Sequence, residues 1–184
     1  MSFNRKRAES ASPKGGEDSA RSLSPEKLEQ RARNVLLFQL SKGAKSKAQL
    51  AAVLEKREIP EEIALPLLDR FEETGLINDH AFAETVVSSR RNFRGLSKSA
   101  IRRELSQKGV SADIIANATE VITEEDELAT ARKLAVTRIK SMTRLEQEAR
   151  TRRLFGYLQR KGYSGRVIFE AIRFAESGAV KSEV

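Results

Sequence analysis

Cysteine is absent from the 184 residues, which removes disulfides, thiolate zinc sites and cysteine nucleophiles together. The one histidine cannot build a multi-histidine metal centre. Ten glycines and four prolines, beside 39% hydrophobic residues, are too few for a collagen-like or wholly disordered chain. Apolar runs are short, as in Val35-Leu36-Leu37-Phe38, far below the roughly 20 residues that span a bilayer. The polar N-terminus carries no signal-peptide core, so the expectation is a soluble, cytoplasmic protein with no membrane partner. Catalytic signatures are missing too. Without a GxxxxGK[ST] loop to cradle phosphates, any ATP dependence belongs to a partner, and neither GxSxG nor HExxH occurs. The acid pairs Glu61-Glu62, Glu72-Glu73 and Glu124-Glu125 fall at expected helix ends, where the helix dipole accounts for them. His80 beside Asp79 reads as a surface residue of a first helical turn. No active site, metal or cofactor is assigned.

What is plentiful is charge. Lys and Arg number 34 against 26 acids, a net +8 that favours an anionic partner. It is unevenly placed. Ser88 to Lys108 holds seven basic residues and one acid, and Arg138 to Arg166 holds nine and two. Glu58 to Asp79 carries seven acids against Arg70, and Glu120 to Glu127 five with no base. Such alternation produces opposite faces or ends, although many of these charges simply solvate helix surfaces.

Residues 1–23 mix Ser, Gly, Pro and charge without apolar periodicity and read as a mobile tail, as do 178–184. Ser24-Pro25-Glu26 then looks like a helix start. Beyond it lies an internal repeat. Ser46-Lys47-Ala48-Gln49-Leu50, Leu54, Lys56-Arg57-Glu58-Ile59-Pro60 and Ile63, shifted by 51 residues, land on Ser97-Lys98-Ser99-Ala100-Ile101, Leu105, Gln107-Lys108-Gly109-Val110-Ser111 and Ile114. A further shift of 53 gives Leu154, Leu158, Arg160-Lys161-Gly162-Tyr163-Ser164 and Val167-Ile168. Upstream, Ala32, Ala83 and Ala131 correspond. Three copies follow, over 24–77, 78–122 and 123–177, each read as three helices. In the second copy Phe82, Val86 and Val87 share one face, Ile101 and Leu105 another, and Ile114, Ile115 and Ala118 a third. Gly75, Gly95 and Gly109 mark turns, and Asn78 or Asp79, then Ser111, mark caps. No strand-like alternation occurs, so the fold class is all-α: three tandem three-helix repeats in an elongated, curved array. A unit of about 50 residues has a marginal core, and stacking on a neighbour is expected to stabilise it. Glu58 stands where the other copies have glycine, and Pro66 sits inside the third helix of copy one, where it should cost about 3 kcal/mol or force a kink.

At these residues the chain resembles the RecX family of regulators of the bacterial RecA recombinase. The resemblance rests on Gly75-Leu76-Ile77-Asn78-Asp79 with Phe82-Ala83, Ser89-Arg90-Arg91, Gly95 and Ile101-Arg102-Arg103-Glu104-Leu105 leading to Lys108-Gly109-Val110. The third copy adds Arg152-Arg153-Leu154, Tyr157-Leu158 and Arg160-Lys161-Gly162-Tyr163-Ser164. It spans Leu28 to Glu176, and departs from the pattern at Glu58, at Pro66 and in a long connection from Ser141 to Glu148. The resemblance implies a protein lodged in the groove of the RecA–DNA filament, inhibiting recombinase, ATPase and co-protease activities in repair, recombination and the SOS response.

The expected contacts to acidic RecA surface or to DNA phosphate are the arginines of copies two and three, because the planar guanidinium meets carboxylate or phosphate with two parallel hydrogen bonds. Arg90, Arg91, Arg94, Arg102 and Arg103, with Lys108, come first; Arg150, Arg152, Arg153, Arg160 and Lys161 come second. Adjacent Arg102 and Arg103 cannot point the same way, so one is expected to pair structurally, Arg103 with a nearby acid being an example. Phe82, Tyr157 and Tyr163 read as core rather than as base-stacking groups. The chain is expected to be a monomer whose partner is the RecA filament, with single- or double-stranded DNA a further possible contact. Alternatives are a sequence-independent DNA-binding module acting without RecA, since three-helix units resemble helix-turn-helix domains, and an RNA-associated or assembly scaffold.

Overall fold

The computed structural model describes residues 24–180, with side chains through 177. The expected tail at 1–23 lies outside them. At the other end the last helix continues to Val180, into the span read as tail, and 181–184 lie outside. Among the described residues there are nine α-helices and no strand: α1 Pro25–Ser41, α2 Lys47–Glu55, α3 Glu61–Glu73, α4 Asp79–Ser89, α5 Lys98–Gln107, α6 Ala112–Glu120, α7 Glu124–Ile139, α8 Gln147–Arg160 and α9 Gly165–Val180. They group in threes, and each group encloses its own buried cluster.

The repeated residues form those clusters. Leu50, Ile101 and Leu154 are fully buried in α2, α5 and α8, as are Leu54, Leu105 and Leu158 one turn on, and Ala32, Ala83 and Ala131 in the first helix of each copy. The small alanine lets the neighbouring helices approach at the same point in every copy. Serine and threonine caps start the helices where the sequence places them: Ser46 with Gln49 and Thr123 with Asp126 form capping boxes, and Asn78, Ser97 and Ser111 accept from the backbone of their first turns. Ser24 is an exception, its side chain making no cap bond. Pro66 neither ends nor splits α3, which runs through it with Pro66 on the exposed face. There the carbonyl left without a helical donor can be hydrated. The connection after α7 is partly helical, a 3₁₀ turn at Lys140–Met142 that seats Met142 in the third core.

The extensive helix packing lies inside the copies. Stacking between them rests on a polar joint, whose central contacts are built twice from equivalent residues. At the first joint the Ser46 hydroxyl donates to the Lys108 carbonyl at 2.5 Å and the Lys47 amide to Asp79 Oδ1 at 2.8 Å. At the second, the Ser97 amide donates to the Lys161 carbonyl at 3.0 Å, the Ser99 hydroxyl to the Gly162 carbonyl at 2.9 Å and the Lys98 amide to Glu127 Oε1 at 2.8 Å. In each case the free N–H groups and positive end of one copy's second helix are satisfied by a carboxylate or carbonyl of the next copy.

This joint explains the glycines. The turn between second and third helices is the same in all copies, with the residue after it bonding back to the helix: Ile59 N to Leu54 O, Val110 N to Leu105 O and Tyr163 N to Leu158 O. Each turn needs one left-handed residue, supplied by Gly109, Gly162 and, in copy one, Glu58 at φ 58°. A Cβ on Gly109 would lie 2.3 Å from the Ala48 Cβ, and one on Gly162 2.7 Å from the Ala100 Cβ. In copy one the turn is exposed at Glu58, so a side chain fits there and only backbone strain remains. Glu58→Gly is therefore expected to stabilise the protein by about 0.5–1 kcal/mol, read as a rise in the midpoint of denaturant unfolding without a change in slope.

Candidate functional site

The most irregular backbone lies where copies two and three meet. After Ser89, α4 widens into a π-helical turn, Arg90–Arg94, closed by Gly95 in the left-handed conformation at φ 56°. Such turns concentrate at functional places because they redirect side chains that a regular helix would hold on its own face. This one is clamped on every side. Arg90 donates from Nε and Nη2 to the two Glu104 oxygens at 2.8 and 2.6 Å. Arg91 pairs with Asp126 of copy three at 2.7 Å. The buried Tyr163 hydroxyl donates to the Gly95 carbonyl at 3.0 Å, and Lys161 Nζ donates to the Arg94 carbonyl. A Cβ on Gly95 would meet the movable end of the Leu134 side chain at 2.9 Å, so the left-handed backbone, more than the space, calls for glycine here.

Electrostatics follow from these contacts. The bidentate hydrogen bond from Arg90 holds the Glu104 carboxyl below the usual carboxylate range, against the opposing effect of its partial burial. Burial, then the charge of Arg94, pushes the Lys161 ammonium down. Burial pushes the Tyr163 hydroxyl up, keeping it a donor. A group whose carboxyl is lowered on folding stabilises the fold above its unfolded value and loses that contribution as pH falls through the folded one. Glu104→Gln is thus expected to cost about 1–3 kcal/mol at neutral pH, with the difference from the parent protein shrinking below about pH 4; thermal melts across pH 3 to 7 measure it.

Between this turn and α7 and α8 runs a groove of about 510 Å³. Arg91, Arg94, Lys133, Arg138 and Lys161 line it, with no carboxylate among the lining residues. Tyr157 lines it too, its ring lying 5.6 Å from the Arg138 guanidinium carbon and 5.2 Å from Lys161 Nζ. Since Arg91 is paired and Lys161 bound to a carbonyl, the cations left to meet a partner are Arg94, Lys133 and Arg138, all exposed. Phe93, on the same turn, is 88% exposed.

The expected arginines are thus divided. Arg91, Arg94 and Lys161 come together in the groove. Arg90 is engaged by Glu104, so the structural partner of that acid is Arg90 rather than Arg103; Lys108 also approaches Glu104, at 3.9 Å. Arg102 and Arg103 are both exposed on α5, in no ion pair among the described residues. Arg153 and Arg160 are exposed on α8, Arg150 is partly buried there, and Arg152 lines a separate shallow hollow with Glu146 and Glu148. Phe82 and Tyr163 are core, as expected, whereas Tyr157 is only partly buried. Lys133, Arg138 and Phe93 are the groove residues the sequence reading did not single out as contacts. Thr130, Lys133, Leu134, Thr137 and Arg138 recur at helical spacing along one face of α7, with Ser141 following in the 3₁₀ turn, a signal present in the sequence; nothing there marks Phe93, because the π turn is held by contacts distant in sequence. Among the described residues no cluster of His, Asp and Glu could hold a metal, and no helix is long and apolar enough to cross a membrane.

Two family models match this chain, the second three-helix domain of RecX over residues 78–118 and the third over 124–172. A regulatory protein RecX of Streptomyces coelicolor is 44% identical over 146 residues, covering 79% of this chain and 78% of that protein. The chain belongs to the RecX family. A RecX of Thermobifida fusca, also a regulatory protein by name, is 40% identical across 88% of this chain and 84% of its own length. The crystal structure of RecX from Lactobacillus salivarius has the same fold, with a TM-score of 0.71 at 20% identity over 82% of this chain and 98% of that one. The two matched RecX domains meet at the groove described above.

Proposed function

We propose that this RecX-family chain regulates the RecA recombinase by lodging in the groove of the RecA–DNA filament, where it inhibits recombinase, ATPase and co-protease activities and so acts in repair, recombination and the SOS response, within the cytoplasm and as a monomer. The observation that carries this reading is the cationic groove between copies two and three, free of lining carboxylates and held by a clamped backbone. Family membership supports the class of activity, and an elongated array suits an extended groove on a polymer better than it suits a small molecule. Several modest contacts on one linked array act together through effective concentration. Arg94 with Lys133 and Arg138 forms the main contact to acidic protein surface or phosphate; Arg102, Arg103, Arg153 and Arg160 supply peripheral charge, and Arg90 and Lys161 hold the groove in shape.

Co-sedimentation with RecA filaments assembled on single-stranded DNA with a non-hydrolysable nucleotide tests the reading. The expected result is saturable binding to filament and inhibition of ATPase at amounts well below those that coat the DNA. A sequence-independent DNA-binding module, which the groove's cations would also serve, gives a different result: binding that needs no RecA and weakens steeply with salt as counterions are released.

A further inference from the structure

We infer that Phe93 is the anchor of the partner interface, a knob that enters an apolar pocket with an acidic rim on a protein partner; this rests on the reading above. The side chain is 88% exposed although the turn that carries it is tied down by its neighbours. Arg90 to Glu104, Arg91 to Asp126, Tyr163 to the Gly95 carbonyl and Lys161 to the Arg94 carbonyl fix it from four directions. An exposed phenyl ring offers water a large apolar surface, and a rigid mount means that little conformational freedom is lost when the ring is buried. Those are the properties of the residues that dominate protein interfaces.

The surroundings say what kind of pocket receives it. The π turn stands as a ridge between two hollows, the cationic groove of about 510 Å³ and a second of about 330 Å³ in which Val87, Ala118 and Val121 lie among polar side chains and the opposite charges Glu84 and Arg91. Val121 is itself 66% exposed. A surface that straddles the ridge therefore meets a run of unopposed cations on one side of Phe93 and a mixed surface containing Val121 on the other, so its complement is apolar opposite Phe93 and acidic opposite Arg94, Lys133 and Arg138. A nucleic-acid strand fits less well. Stacking a strand needs successive free ring faces, and the other aromatic ring of the groove, Tyr157, is engaged by Arg138 and Lys161.

The test compares Phe93→Ala and Phe93→Leu with the parent full-length chain in two assays: the concentration that half-inhibits the ATPase of RecA on single-stranded DNA, and binding to a fluorescent oligonucleotide without RecA. Phe93→Ala is expected to raise the half-inhibiting concentration at least tenfold, Phe93→Leu to restore most of the effect, and neither to change oligonucleotide binding by more than about twofold; unaltered melting curves show that the fold is retained. An equal loss of oligonucleotide binding in Phe93→Ala would place a nucleic acid on the ring and overturn the inference. Inhibition within twofold of the parent would do so as well, while leaving the RecA reading intact. A parent chain with no effect on RecA removes the reading and the anchor together.

Discussion

Gly162→Ala is expected to lower the unfolding free energy by about 2–4 kcal/mol, and Gly109→Ala by a similar amount. Two penalties combine at each position. Both residues sit in the left-handed region, at φ 90° and 75°, where a Cβ is strained whatever the space around it. Each new Cβ also enters a neighbouring copy, 2.6 Å from Ser97 Oγ in one case and 2.3 Å from the Ala48 Cβ in the other. Ala48 and Ala100 carry their Cβ directly on helix backbone, so relief requires the copies to move apart, which lengthens the hydrogen bonds of the joint. Gly75→Ala separates the two effects, because Gly75 has φ 73° but nothing within 4 Å of an added Cβ; its expected cost is only about 1 kcal/mol. Calorimetric melts of the three variants check this. Equal costs at Gly75 and Gly162 would show that the close approach at the joint contributes nothing.

Reversing Arg94, Lys133 and Arg138 together to glutamate is expected to raise the concentration needed to inhibit RecA by on the order of 100-fold. The three are groove cations in no ion pair among the described residues, Arg138 lying over the Tyr157 ring, and they are exposed, so the fold should tolerate the change; circular dichroism verifies that helicity is retained. Turning three positive charges to negative replaces attraction with repulsion at the same place, and like charges facing each other cost several kcal/mol. Reversing Arg102 and Arg103 on α5, outside the groove, is expected to have a several-fold smaller effect. Arg90 is unsuited to such a test. A glutamate there would face Glu104 and unsettle the π turn, so lost inhibition could not be assigned to a lost contact. Undiminished inhibition by the triple variant would remove the groove from the interface.

Much of this architecture was legible in the chain because copy-to-copy correspondence singles out positions under the same physical demand. The alanines at 32, 83 and 131 and the aliphatics at 50, 101 and 154 are all fully buried, and a periodic apolar face with a serine or threonine ahead of it signals a helix and its start. The joints were not legible. Ser46 and Lys47 read only as repeat positions and Asp79 as a possible cap, and only proximity reveals that the carboxylate of one copy serves the helix end of another. The glycine pattern carried half the answer: it gave the turns, while the missing glycine at Glu58 read as a departure until the exposure of that turn showed where a side chain has room. In the candidate site, Arg91, Arg94 and Lys161 were found from charge density. That measure cannot separate Arg94, left open to a partner, from Arg90, which is consumed by Glu104, because the difference lies in a contact fourteen residues apart in sequence.

The same joint also distinguishes the outer edges of the described row from its interior. α8 begins a full turn earlier, relative to the repeat, than α2 and α5, and its N-cap Glu146 makes no side-chain cap bond. At the opposite edge Glu58 holds an exposed turn in the left-handed conformation that glycine holds in the other copies. The two outer faces thus differ from the inner ones in the very residues that make the joint, so the surfaces that dock one copy on the next are not repeated unchanged on the outside of the array.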